Sequence, residues 1–183
     1  MQNFKRILIP IVLLFITLLL DGVLTSLFTA ELQTAIGIMV PRLFVLTVII
    51  LAFYLEPRHI YILTLVFGFI YDSYYSGILG IYMTVLILIA YFVIQLRPYL
   101  ETHLWVILLM SIILLTVNEF FIYGVYRVLD LTHITVQVFL AERLGATLAL
   151  NTLFIMILGY PLKKIVESIK TEKNERPNKN RII

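Results

Sequence analysis

The sequence contains no cysteine, and only 14% of its 183 residues are charged. The lack of cysteine excludes disulfide bonds, thiolate metal sites and cysteine nucleophiles. Soluble globular domains are about 25% charged and about 45–50% apolar. Here 61% of the residues are hydrophobic and the mean hydropathy is +1.01. This excess predicts a protein whose outer surface faces lipid rather than water.

Lysine is missing from the long stretch between Lys5 and Lys163. The formal net charge of +3 therefore depends on basic residues at the two ends of the chain. Such a distribution is typical of membrane topology signals and not of a nucleic-acid-binding patch. We expect no nucleic-acid partner.

Motifs that carry catalysis are also missing. The sequence has no glycine-rich phosphate loop, no nucleophile elbow and no HExxH motif. Its three histidines, His59, His103 and His133, stand alone with no partner at ligand spacing. No serine–histidine or histidine–acid constellation falls within an apolar segment. We therefore expect neither an enzyme nor a bound metal or cofactor.

Six apolar segments predict an all-α, polytopic membrane protein with six transmembrane helices. A bilayer core of about 30 Å needs roughly 20 helical residues. The third segment is cleanly apolar only from Ile60 to Tyr71, which is too short, so we extend that helix through Asp72 to Ser76. The predicted helices are Ile7–Ala30, Ile38–Leu55, Ile60–Ser76, Ile78–Leu96, Leu104–Val125 and Val138–Leu162.

Positive charge predicts the orientation, because cytoplasmic loops are enriched in lysine and arginine. Lys5 and Arg6 place the N-terminus inside, and two loops expected on the same side contain Arg58 and Arg97. An even number of helices returns the C-terminus to the cytoplasm. The basic residues there are Lys163, Lys164, Lys170, Lys173, Arg176, Lys179 and Arg181.

Two regions follow from this topology: a six-helix transmembrane domain over residues 1–166 and a basic cytoplasmic tail over 167–183. Each basic residue near an anionic membrane surface contributes about 1 kcal/mol of attraction. We expect the tail to anchor the topology at the lipid bilayer rather than to bind a dedicated partner.

Charged residues inside the predicted helices need a reason, since each costs at least about 2.5–3.5 kcal/mol on insertion scales. Their predicted depths all fall in the outer half of the membrane. One interpretation is an ion-pair network that fixes helix order, with Glu119 and Arg143 as the expected pair. The other is an outward-facing cavity or partner groove. A proton relay is less favoured, because no helix continues the acids through the inner half. The residues are Asp21, Arg42, Asp72, Glu119, Glu142 and Arg143.

Small residues recur at every fourth position in the sixth segment, at Ala141, Gly145 and Ala149. This spacing lets transmembrane helices approach closely. Packing within the chain is the favoured interpretation, and contact with a helix of another protein is the alternative.

The segment GFIYDSYYSGILGIY, residues 68–82, resembles the rod shape-determining protein MreD family in the order of Gly68, Asp72, Leu79 and Gly80. The Leu-Leu-Leu-Asp that ends at Asp21, the Pro-x-Leu at residues 41–43, the length and the topology agree with it. Arg42 departs from the pattern, which has a small polar or acidic residue after the proline.

The resemblance implies a non-enzymatic subunit of the bacterial cell-elongation machinery in the cell membrane. Its implied partners are an MreC-like membrane protein and the peptidoglycan synthases of the elongation complex. On this hypothesis Asp72, Gly77 and Gly80 shape the outer ends of the third and fourth helices for docking. Asp21, Glu119 and Arg143 hold the core of the bundle.

An alternative comes from a similar fold, the substrate-binding subunits of energy-coupling-factor vitamin transporters. Those subunits dock their coupling protein through a small-xxx-small pattern on the first helix. The first helix here has no such pair before Gly22, which disfavours transport. A lone channel or ion carrier has only the intramembrane charges in its favour.

Overall fold

The computed structural model describes residues 2–34 and 37–170, which form an all-α bundle with one short hairpin. The residues predicted as the distal tail, 171–183, lie outside the described part. The helices are α1 Gln2–Leu27, α2 Thr29–Leu32, α3 Leu43–Tyr54, α4 Pro57–Tyr71, α5 Ile81–Leu96, α6 Leu104–Val128, α7 Val136–Val138 and α8 Gly145–Lys170. The strands are β1 Gln33–Thr34 and β2 Gly37–Ile38, and two π-helical segments cover Asp72–Ser76 and Phe139–Leu144.

The long helices alternate in direction, so that their termini meet at two ends of the bundle. At one end Arg97 donates to the carbonyls of Ala52 and Leu55, and Lys163 donates to that of Thr102. We call this the basic end. At the opposite end α3 and α5 begin. We call it the capped end, because the carboxylates of Asp21 and Asp72 cap the N-termini of these two helices there.

Helix α3 occupies the centre of the bundle. All twelve of its residues are buried, and it contacts α1, α4, α5, α6 and α8. A helix that is apolar on every face can lie in lipid or in a protein core, and the burial of every residue places α3 in the core. The 12 residues of α3 rise only about 18 Å. Because protein surrounds it, this helix does not have to match the thickness of the lipid.

The outer surface is apolar in keeping with a membrane environment. Three helical stretches of the described chain are long and apolar enough to cross a membrane: Arg6–Leu27, Leu104–Val128 and Val136–Ser168. Leu43–Tyr54 and Ile81–Leu96 are shorter apolar helices. A multi-pass membrane fold is confirmed, and the count of six spans stays a prediction.

Several helix boundaries differ from the sequence prediction, and two of them show why. The second long helix begins at Leu43 and not at Ile38, which lies in β2 paired with Gln33. Pro41 explains the late start, because a proline disfavours the helical conformation of the residue before it. The last helix extends to Lys170, beyond the predicted Leu162. The third predicted helix corresponds to α4, and its predicted extension to Ser76 is present as a π-helical segment.

Candidate functional site

Asp21 lies in α1 and caps the N-terminus of the central helix, α3. Its carboxylate accepts hydrogen bonds from the backbone N–H groups of Leu43, at 2.7 Å, and Phe44, at 3.1 Å. The first N–H groups of a helix have no partner within the helix. A carboxylate at this position satisfies them and interacts favourably with the helix dipole. Asp21 thus stabilises the start of α3 deep in the bundle.

Asp72 plays the same part for α5. It is fully buried and accepts from the N–H groups of Gly80 and Tyr82, both at 2.8 Å, and of Met83 at 3.2 Å. Asp72 itself lies at the start of the π-helical segment that ends α4. The Asp72 carboxylate therefore connects the end of α4 to the start of α5 and holds the turn between them.

Gly77 and Gly80 give this turn its shape. Their φ angles are +69° and +103°, in the region where a side chain is strained. Gly77 ends the π-helical segment and Gly80 precedes α5. The two glycines and Asp72 therefore lie in one turn, and a role of this turn in docking stays a prediction.

Arg42 lies at the centre of the buried polar cluster. Its Nε donates to Glu119 Oε1 at 2.7 Å, and its Nη1 donates to the hydroxyls of Tyr82, at 2.7 Å, and Tyr71, at 3.1 Å. Its guanidinium also lies 5.5 Å from the centre of the Tyr82 ring. Arg42 and Glu119 are both buried. Removal of either member would leave an uncompensated charge inside the protein.

Arg143 is the outer member of the cluster. Its Nε lies 3.5 Å from the second oxygen of Glu119, and its side chain is one-third exposed. The predicted Glu119–Arg143 pair is therefore present, but Arg42 makes the shorter and deeper contact. The sequence interpretation included Arg42 in the charged network but did not assign it a partner. Glu142, next to Arg143, points to the surface.

Several contributing residues were missed by the sequence interpretation. Asn151 accepts from the N–H of Arg42 at 2.8 Å and donates to the carbonyls of Val40 and Thr147. Asn118 is buried beside Glu119. Both asparagines stand out as amides in apolar segments and could have been found on that basis. Tyrosine hydroxyls leave no such signal, because tyrosine is common in any membrane protein.

The stripe of small residues does not pack within the chain. Ala141, Gly145 and Ala149 are all exposed, so the favoured interpretation of this stripe was wrong. The face of α8 that points into the bundle presents Thr147 and Asn151 instead.

Comparison with known proteins finds relatives that match almost the entire chain. The family model described as "rod shape-determining protein MreD" matches residues 4–169. The chain belongs to the MreD family. It is similar to the rod shape-determining protein MreD of Bacillus subtilis (strain 168), with 26% identity over 168 residues that cover 92% of this chain and 97% of that protein. No solved structure matches it.

Membership in this family identifies a multi-pass bacterial membrane protein concerned with rod shape. In this chain Asp21 and Asp72 cap helices, and Gly80, whose N–H donates to Asp72, has a left-handed backbone conformation.

Proposed function

We propose that this protein is a non-enzymatic scaffold of the cell-elongation machinery. On this proposal it binds an MreC-like membrane protein and links it to peptidoglycan synthases. The carrying observation is the family match over residues 4–169, which includes every residue of the capped end. The buried charges support a scaffold, because Asp21, Asp72 and Arg42 are each engaged in holding helices together.

The proposed topology has six spans with both termini in the cytoplasm. The contacts of Arg97 and Lys163 support this, because they draw the basic residues of two loops and α8 to one end of the bundle. The 15 residues of α4 continue into the 5 of the π-helical segment, which gives that helix spanning length. Burial accounts for the short length of α3, and α5, with 16 residues, is the other helix shorter than a full span. The basic end is then cytoplasmic and the capped end external.

The proposed docking surface is the turn between α4 and α5, residues 73–79. Tyr74 is 81% exposed and Leu79 is 63% exposed at the capped end. Transmembrane association relies on close packing and a few polar contacts, since apolar surface alone gains little in lipid. A turn held rigid by Asp72, Gly77 and Gly80 presents these side chains without a large ordering cost on binding.

A matched pair of tyrosines tests this surface. Tyr74 at the capped end and Tyr99 at the basic end are 81% and 87% exposed, so neither truncation to alanine should affect folding. Each variant is tagged, purified from native membranes in mild detergent, and its partners are identified by mass spectrometry. We expect Tyr74→Ala to recover several-fold less MreC-like protein than Tyr99→Ala does.

Three results would contradict the proposal. Equal recovery from both variants would remove the docking surface, and failure of the parent chain to recover any MreC-like protein would remove the scaffold. Recovery of paired ATPases with a coupling membrane protein, or of a bound vitamin, would establish the transport alternative instead.

A further inference from the structure

Tyr75 connects the proposed docking turn, residues 73–79, to helix α1. Its hydroxyl donates a hydrogen bond to the backbone carbonyl of Leu18 at 3.0 Å. Leu18 is buried and lies one helical turn before Gly22 in α1. The carboxylate of Asp72 already fixes the turn to the start of α5. Tyr75 therefore adds an attachment of the same turn to another helix.

Gly22 leaves the space that the Tyr75 side chain occupies on α1. A Cβ at Gly22 would overlap the hydroxyl oxygen of Tyr75 and lie 3.0 Å from two of its ring carbons. The three atoms nearest to that Cβ all belong to Tyr75. The Tyr75 ring also packs against Tyr71, with ring centroids 4.9 Å apart. A larger residue at position 22 would thus compete with Tyr75 for one place.

The atoms that would meet a side chain at Gly22 lie at the end of a side chain and not in a backbone. Tyr75 is 43% exposed, so its ring has room to rotate outward. Gly68 differs, because a Cβ there meets the backbone of Met83. We expect a methyl group at position 22 to displace Tyr75 while α1 stays in place. The substitution should then affect the placement of the turn more than the stability of the fold.

We propose that Tyr75 is a positioning residue, which holds the docking turn against α1 in the space left by Gly22. This inference rests on the docking surface proposed above. Tyr74 is 81% exposed and adjacent to Tyr75 in the chain, so the anchored tyrosine restricts the backbone that carries the exposed one. A partner that contacts Tyr74 then meets a surface that is already ordered, which lowers the entropic cost of binding.

Spin labelling measures the mobility of the turn without any partner. The sequence has no cysteine, so one introduced cysteine carries the only label. Tyr74→Cys places it in the turn and Tyr99→Cys places it at the basic end as a control, since these side chains are 81% and 87% exposed. In the full chain in detergent, we expect Gly22→Ala to shift the EPR spectrum at position 74 toward higher mobility and to leave position 99 unchanged.

A double-mutant cycle shows whether the two residues act at one contact. Tyr75→Ala removes the three atoms that a Cβ at Gly22 would meet. We therefore expect Gly22→Ala to mobilise the label at position 74 in the parent chain and to have no further effect in the Tyr75→Ala background. If Gly22→Ala does not fold, Tyr75→Phe takes its place, because it removes the hydrogen bond to Leu18 and should mobilise the label too.

Partner recovery measures whether the placement of the turn matters for docking. Gly124→Ala is the matched control for Gly22→Ala, because it adds the same methyl group to a helix and meets nothing within 4 Å. Neither substitution changes a side chain of the docking turn. From equal amounts of folded protein, we expect Gly22→Ala to recover several-fold less MreC-like protein than Gly124→Ala, at similar melting temperatures.

The outcomes separate this inference from the proposed function. An unchanged spectrum at position 74, additive effects in the cycle, or a mobile turn that still recovers the partner as well as Gly124→Ala does would each overturn the inference. Failure of the parent chain to recover any MreC-like protein would instead remove the proposed scaffold. The spectra would then decide alone whether Tyr75 positions the turn.

Discussion

Replacement of Gly68 by alanine places a methyl group against the backbone of α5. A Cβ at this position would lie 2.7 Å from the Cα of Met83 and 3.2 Å from its nitrogen. Carbon atoms in favourable contact are about 3.5–4.0 Å apart, so the two helices must separate by about 1 Å. The clashing atoms belong to the backbone of α5 and cannot rotate away as a side chain would.

Gly124 in α6 is the matched control, because a Cβ there meets nothing within 4 Å. Both substitutions gain about 1 kcal/mol of helix propensity, so their difference isolates the clash. Overpacking typically costs about 1–3 kcal/mol. In a protein of this size each kcal/mol shifts the melting temperature by about 2–4 °C. We therefore expect Gly68→Ala to melt about 2–12 °C below Gly124→Ala.

The assay heats each purified variant in detergent and measures the folded fraction by size-exclusion chromatography. Partner recovery from the folded fraction should be the same for both, because Gly68 is buried and cannot contact a partner. Equal melting temperatures would refute the close approach of the helices. A selective loss of partner from folded Gly68→Ala would show that this glycine serves the interface and not the packing.

Three further predictions concern the buried charges. Arg42→Gln and Glu119→Gln should each destabilise by about 3–5 kcal/mol, and the double variant should lose less than the sum, as measured by a double-mutant cycle of detergent stability. Arg143→Gln should cost clearly less than Arg42→Gln in the same assay, because its side chain is one-third exposed; an equal cost would contradict the depth of the cluster. Asp72→Asn should impair stability and the restoration of rod shape in cells more than Asp130→Asn, whose side chain is 86% exposed. Equal effects would remove the capping role.

Sequence periodicity and hydropathy were sufficient to predict where the long helices lie. A run of apolar residues is a local property of the sequence, and about 20 of them are long enough to span a bilayer as a helix. The length of the third predicted helix, which is α4 in the structure, could also be predicted. Its cleanly apolar part is too short to span a bilayer, so the helix had to be extended through Asp72. The order of Gly68, Asp72 and Gly80 predicted the family, though not that all three serve one junction between α4 and α5.

The partners of Arg42 could not be predicted, because they depend on which helix lies in the centre. Glu119 and Arg143 were predicted to pair because their depths in the membrane are similar. Depth does not determine which helices are neighbours around the bundle. Only with α3 surrounded does Arg42 face Glu119 and the hydroxyls of Tyr71 and Tyr82. The exposure of Ala141, Gly145 and Ala149 was missed for a related reason, because spacing along a helix does not say which face its neighbours cover.

The central position of α3 has a consequence for synthesis at the ribosome. Asp21 precedes α3 in the chain, so the cap of this helix is available as soon as the helix emerges. Glu119 and Asn151, however, follow Arg42 by 77 and 109 residues. While those residues are being synthesised, α3 stays in the membrane or at the insertion machinery, and Arg42 lacks its Glu119 and Asn151 partners. We therefore expect nascent chains that stop before α6 to be recognised and degraded. The fold is completed only after α6 and α8 have been synthesised.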